Sequence, residues 1–230
     1  MEITITQALL TKGAKQGRPG TNLIPKGVVV HFVGNPGSSA QANRNYFENG
    51  SGGNGVSSQY IVGLNGEVLQ CVPDNERAMH AGKSYGTAWN EMAKTNNGKY
   101  LGIECCHPDS TGKFNAVTTA SLVWLVKKLC KDHGLDAAKD VFRHHDVAGK
   151  NCPAYYVKYA NEWAELVKLF SAADEPGVVA TPPVSHEPSA WAKASWGKAV
   201  AQKIFDGTNP TSPPTREQIA VVLDRLGLLG

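Results

Sequence analysis

Long apolar runs are missing from this 230-residue chain. No stretch approaches the roughly 20 residues that a membrane-spanning helix needs, so no membrane span is expected. The N-terminal Met1-Glu2-Ile3-Thr4-Ile5-Thr6 has neither a basic n-region nor an apolar h-region. It therefore does not read as a secretory signal, and the chain is expected to be made as a soluble cytoplasmic protein. Charge of one sign is lacking too: 23 Lys and Arg stand against 20 Asp and Glu, for a formal +3. With the signs mixed along the chain, nucleic-acid binding has no electrostatic support. Cysteine is scarce and odd in number, with Cys71, Cys105, Cys106, Cys130 and Cys152 as the five. That excludes the even spacing of a disulfide framework and agrees with a reducing compartment. Cys105 and Cys106 are neighbours in a strand-like run and should point to opposite faces, while Cys130 falls on the apolar side of a helical pattern. These three and Cys71 read as reduced structural thiols, leaving Cys152 as the one with a chemical context.

What is present is an ordinary globular composition, 41% hydrophobic and 19% charged, in a chain long enough for one substantial core and a small appendage. Val28-Val29-Val30-His31-Phe32-Val33, closed by Gly34-Asn35-Pro36-Gly37, predicts a buried strand running into a turn. Residues 40 to 49 predict a short amphipathic helix stopped by Asn49-Gly50, and the Gly-rich stretch 50 to 55 a loop. Gln59-Tyr60-Ile61-Val62 and Glu67-Val68-Leu69-Gln70-Cys71-Val72 flank Asn65-Gly66 and predict a hairpin. Tyr100 to Cys106 predicts another strand. Thr118 to His133 predicts a helix with Leu122, Leu125, Val126 and Leu129 on one face and Gly134 as its stop. A further helix is expected from Ala154 to Phe170, with Tyr156, Ala160, Trp163, Val167 and Phe170 as its buried stripe. The fold class that follows is α/β, a mixed central β-sheet flanked by helices.

The densest chemistry lies in Arg143-His144-His145-Asp146-Val147-Ala148-Gly149-Lys150-Asn151-Cys152-Pro153. Together with His31 at a strand end, it offers two imidazoles and a thiol, three ligands of the kind a catalytic zinc uses while keeping a fourth position open. Val141-Phe142 is a short apolar piece, and the Asp, Gly, Lys and Asn after His144 read as a loop long enough to fold back. Seen singly, each residue has a plain structural reading, a packed core histidine or a small buried thiol.

Val29-Val30-His31-Phe32, the Gln59 to Val68 hairpin, Met79-His80-Ala81-Gly82, Leu101-Gly102-Ile103-Glu104 and Arg143-His144-x-Asp146-Val147-x-x-Lys150-x-Cys152-Pro153 resemble, in order, the zinc N-acetylmuramoyl-L-alanine amidases of phages and bacilli. These are the endolysin and autolysin relatives of the peptidoglycan-recognition proteins. The resemblance covers roughly residues 5 to 165 and implies cleavage of the amide between the lactyl group of N-acetylmuramic acid and L-alanine in bacterial peptidoglycan. It implies His31, His144 and Cys152 as ligands of one Zn2+, with Glu104 and Lys150 as the catalytic side chains and His80 as a groove residue contacting substrate. The family's spacing to Cys152 favours His144 over His145, and Asp146 is a candidate for orienting a ligand histidine. Where some phage members carry a tyrosine before the Asn-Gly turn, this chain has Ser58, which shifts the burden of proton transfer to Glu104. A non-catalytic muropeptide-binding protein on the same fold is the other reading, and Cys152 speaks against it. An endolysin made in a host cytoplasm and acting on the wall after release fits the whole.

Domain organisation follows from composition: 1–172 as the zinc amidase domain, 173–189 as a Pro-rich linker, and 190–230 as a small all-α helix-loop-helix module. In that module Thr215 is the expected N-cap and Gln218 completes a capping box. Trp191 to Ile204, Asp206-Gly207-Thr208 and Thr215-Arg216-Glu217-Gln218 resemble one S-layer-homology repeat. That resemblance implies contact with an anionic cell-wall polymer, for which the planar fork of Arg216 is the candidate. About forty residues bury too little surface to stand alone, so packing on a partner, either a second copy, giving a homo-oligomer, or the first domain, is the accompanying expectation.

Overall fold

A computed structural model of the chain describes residues 3–173, 193–202, 204, 222–224 and 226. The chain divides into two compact units, Met1–Pro182 and Pro183–Gly230, a division that falls inside the stretch read as linker. Of the second unit, the helix Lys193–Ala201 is described. The linker residues 174–189, the Thr215 cap and Arg216 lie outside the described residues.

The first unit is built on one six-stranded sheet. Its strands are β1 (Ile5–Gln7), β2 (Gly27–Phe32), β3 (Tyr60–Val62), β4 (Val68–Gln70), β5 (Tyr100–Cys105) and β6 (Val141–Arg143), in the spatial order β1-β4-β3-β5-β2-β6. The β3–β4 hairpin pairs antiparallel and every other neighbour pair is parallel. Parallel strands are covered on both faces, which is why β2 reads as an unbroken apolar run: Val28, Val29 and Val30 are all fully buried. The hairpin loop needs Gly66, which sits at φ +83°. A Cβ there would come within 2.8 Å of both Ser121 Oγ and Val117 Cγ1.

The helices α1 (Ala40–Glu48), α2 (Asn90–Asn96), α3 (Ala116–His133), α4 (His144–Ala148), α5 (Ala154–Lys158) and α6 (Ala160–Ser171) divide between the two faces. On one face Val28, Val30, Tyr60, Val62, Leu101 and Ile103 meet the apolar stripe of α3 and the Tyr156, Trp163, Leu166 and Phe170 side chains of α5 and α6. On the other, Ile61 and Leu69 pack with Phe47 of α1, and Val29 packs with Ala93 of α2 and with Val147 and Ala148 of α4. That second face carries the polar residues singled out above.

Three expectations change. Helix α3 starts at Ala116, because Asn115 caps it by accepting from the Thr118 amide at 2.8 Å. The single helix expected over 154–170 breaks at Tyr159 (φ −112°, ψ 76°). There the Tyr156 carbonyl accepts from Arg143 Nη1 at 2.9 Å, and the buried stripe runs through Leu166 while Ala160 is exposed. The segment after His144 is not a plain loop but the short helix α4. Asp146 Oδ2 accepts from the Arg143 amide at 2.9 Å to start it, and Gly149 in the left-handed region ends it. Two elements carry no sequence periodicity long enough to announce them: the edge strand β1 and the helix α2.

Candidate metal centre

Sheet register puts the key side chains in one row. In the β2–β5 pairing His31 is opposite Glu104, and in the β2–β6 pairing Val30 is opposite Arg143, so His144 is the next residue along. Glu104 and His31 thus lie near the carboxyl ends of β5 and β2, and His144 directly follows β6, at the edge where open α/β sheets gather their ligands. Cys152 joins them because the chain after α4 folds back. Its amide donates to the Lys150 carbonyl at 2.7 Å, and its carbonyl accepts from the His145 amide at 3.0 Å. Gly149 permits the return: it has φ +76°, and a Cβ there would sit 2.8 Å from the Trp89 ring.

The donor atoms of His31, His144 and Cys152 all lie within 4.8 Å of one another, and all three residues are buried. Cys152 Sγ is 3.8 Å from His31 Nδ1. Tetrahedral bonds of ~2.3 Å to sulfur and ~2.0 Å to nitrogen would put those two atoms about 3.5 Å apart. Both ring nitrogens of His144 are buried without a hydrogen-bond partner, as is Glu104 Oε2. Native structures seldom leave such atoms alone unless an ion or a reacting group belongs there. The donor set and its orphaned nitrogens fit zinc.

The electrostatics agree. Burial, and then the neighbouring His144, hold the His31 imidazole well below its usual range. Burial and the Lys150 ammonium push His144 down to about 3. Burial, reinforced by Glu104, raises the Cys152 thiol to about 12. Near pH 7 the metal-free centre is therefore neutral, and a dication held there would favour the thiolate, with release of a proton. Glu104 is raised by burial to about 8, against the pull of Lys150, so it sits where one carboxyl can both take and return a proton.

That shift carries a stability consequence. Between the ordinary 4.5 and about 8 the unfolded chain has Glu104 ionised while the folded chain keeps it protonated. Folding stability of metal-stripped protein therefore falls by up to about 1.4 kcal/mol per pH unit across that window from this group. The depressed histidines act in the opposite sense below pH 6.5, raising stability as pH rises. Urea titrations of stripped protein and its Glu104→Gln variant at pH 5 and pH 8 separate the two. The variant should gain stability relative to the parent at pH 8 and little at pH 5; an equal difference at both would refute the raised carboxyl.

The remaining expected residues are placed as follows. Lys150 lines a groove of about 760 Å³ beside His144 and His80, with Arg77, Lys83, Lys94 and Lys99 also on its wall. Its ammonium lies 5.7 Å from the centre of the Tyr85 ring. His80 has its ring between His31 and the Tyr100 carbonyl. His145 turns aside to the Trp89 ring, because one residue of helix rotates the side chain rather than inverting it. Asp146 does not orient His144: its carboxylate is engaged by the Arg143 guanidinium at 2.6 Å. Ser58 is buried, with its hydroxyl donating to the Tyr60 carbonyl at 2.7 Å. A phenol absent from the expectation stands at the rim: Tyr85 packs edge-on to His144, ring centres 6.0 Å apart, and its amide donates to the Ala148 carbonyl at 2.8 Å. Its segment has no periodicity or familiar motif that would have marked it.

A model of the N-acetylmuramoyl-L-alanine amidase family matches residues 20–155. The chain is 35% identical over 155 residues to a probable N-acetylmuramoyl-L-alanine amidase of Bacillus licheniformis, across 66% of this chain and 43% of that protein. It is 32% identical over 161 residues to the N-acetylmuramoyl-L-alanine amidase BlyA of Bacillus subtilis, with the same coverage. The chain thus spans less than half the length of these curated relatives. Among solved structures, a mutant endolysin from Bacillus subtilis aligns with a TM-score of 0.59 at 30% identity, over 73% of this chain and 99% of that one.

Proposed function

This chain belongs to the N-acetylmuramoyl-L-alanine amidase family, and from that premise we propose that it is a zinc-dependent peptidoglycan hydrolase cleaving the bond between N-acetylmuramic acid and L-alanine. The observation that carries the zinc reading is that both His144 nitrogens are buried and unpartnered while His144 offers one donor atom within 4.8 Å of donors on His31 and Cys152.

His31, His144 and Cys152 would hold the ion, whose Lewis acidity polarises an amide carbonyl and activates water near neutral pH. Glu104, next to His31 on the neighbouring strand, takes the proton of the attacking water when ionised, the form that a bound dication and the Lys150 ammonium would favour, and passes it to the amine that leaves on L-alanine. The Lys150 ammonium, on the groove wall beside His144, stabilises the negative charge that develops on the carbonyl oxygen. The groove's basic wall suits a stem peptide bearing carboxylates. Release from a host cytoplasm as an endolysin, and an anionic-polymer or self-association role for residues 190–230, extend the same reading.

Digestion of purified cell walls in ¹⁸O-water tests it. One heavy oxygen should appear in the lactyl carboxylate of muramic acid, with new amino groups on alanine and no new reducing sugar ends. Reducing ends, or a different freed residue, would replace the amidase reading.

A further inference from the structure

We propose that His80 is a positioning residue for His31, fixing which of that ring's nitrogens carries the proton and so presenting Nδ1 as a bare donor. The inference rests on the metal-centre reading and deepens it.

His80 Nε2 lies 3.0 Å from the Tyr100 carbonyl oxygen. A carbonyl only accepts, so Nε2 is the nitrogen that carries hydrogen, and the neutral His80 ring is left with a lone pair on Nδ1. That lone pair faces His31 Nε2 at 2.9 Å. His31 must therefore donate from Nε2, which strips the proton from its own Nδ1, the atom 3.8 Å from Cys152 Sγ. One backbone carbonyl of β5 thus sets the tautomer of two rings in series. Metal-ligating imidazoles ordinarily give their second N–H to a carboxylate, carbonyl or water; here a second imidazole takes it.

The device is built in on every side. Asn97 Oδ1 accepts from the amides of His80 and Ala81 at 3.1 and 2.8 Å. Gly102 leaves room for the ring, since a Cβ there would lie 2.7 Å from His80 Cγ. Fully buried Asn96 donates to the carbonyls of Ala81 and Val147 at 3.1 and 2.9 Å, tying this loop to the helix that carries His144. With both ring nitrogens engaged inward, His80 has none left for a hydrogen bond to substrate, although its ring lines the groove.

The full chain, stripped of metal and labelled with ¹⁵N in its imidazoles, gives the test. Long-range proton–nitrogen spectra should show His80 and His31 both as Nε2–H tautomers, with the His31 proton slow to exchange; His31 as the Nδ1–H tautomer overturns the inference. Zinc affinity by chelator competition should fall about 10–100-fold in His80→Leu. It should stay within a few fold in His80→Asn, whose Oδ1 takes the place of Nδ1. Equal losses in the two variants, or no loss in His80→Leu, would make His80 a structural or substrate-facing residue instead. A parent chain that shows both tautomers and binds no zinc would sink the metal reading and leave the His80–His31 pairing standing.

Discussion

Glu104→Gln is expected to lower the rate of wall hydrolysis by about 10²–10⁴-fold while zinc affinity stays within a few fold of the parent. The substitution keeps the volume and the planar group at a site where Oε2 has no hydrogen-bond partner to lose. It also matches the protonated carboxyl of the metal-free chain below about pH 8, so the fold has no reason to suffer. What should disappear is the capacity to take a proton and give it back, which the Lys150 ammonium, proposed to stabilise the oxyanion, would not supply. Steady-state rates on wall fragments, with bound zinc measured on the same samples, separate the effects. A rate within about threefold of the parent would remove Glu104 from the chemistry and put the proton on another group, with Tyr85 at the rim of the site the first to be tried.

Cys152→Ser should have the other large effect, and on a different quantity. A thiolate is the soft donor of the set, and a buried hydroxyl does not ionise to replace it. The loss in zinc affinity should exceed the roughly 10–100-fold expected for His80→Leu, with activity at limiting zinc falling in step. If zinc binds the folded chain as proposed, added zinc should raise the parent's thermal midpoint, and the variant should lose most of that rise. Its metal-free stability should drop only by what a hydroxyl in place of the buried thiol costs, about 1–3 kcal/mol. Saturable zinc protection equal to the parent's would show that the sulfur is not a ligand.

The sheet strands that carry the site were legible for local reasons. The Val28–Val30 run, the hairpin around Asn65-Gly66 and the strand at 100–105 each announce themselves through apolar runs or turn chemistry. The row formed by Glu104, His31 and His144 was not, since register between strands distant in sequence is settled by packing. Helix α4 was hidden because five residues are too few for periodicity, and its caps, Asp146 and Gly149, also read as loop. His80 was visible as a residue of interest, but a sequence does not show that its ring lies between a backbone carbonyl and His31. Asp146 invited the same kind of inference and went elsewhere, to the guanidinium three residues before it. Tyr85, Asn96 and Asn97 act through contacts across the chain and left no local signal at all.

Zinc X-ray absorption on the full chain reconstituted with one equivalent of metal bears most directly on the centre. Three side chains and an open position require one sulfur at ~2.3 Å and three nitrogen or oxygen neighbours at ~2.0 Å, two of them imidazole. A shell without sulfur, with two sulfurs, or with four protein ligands and no exchangeable position would contradict an open centre held by His31, His144 and Cys152.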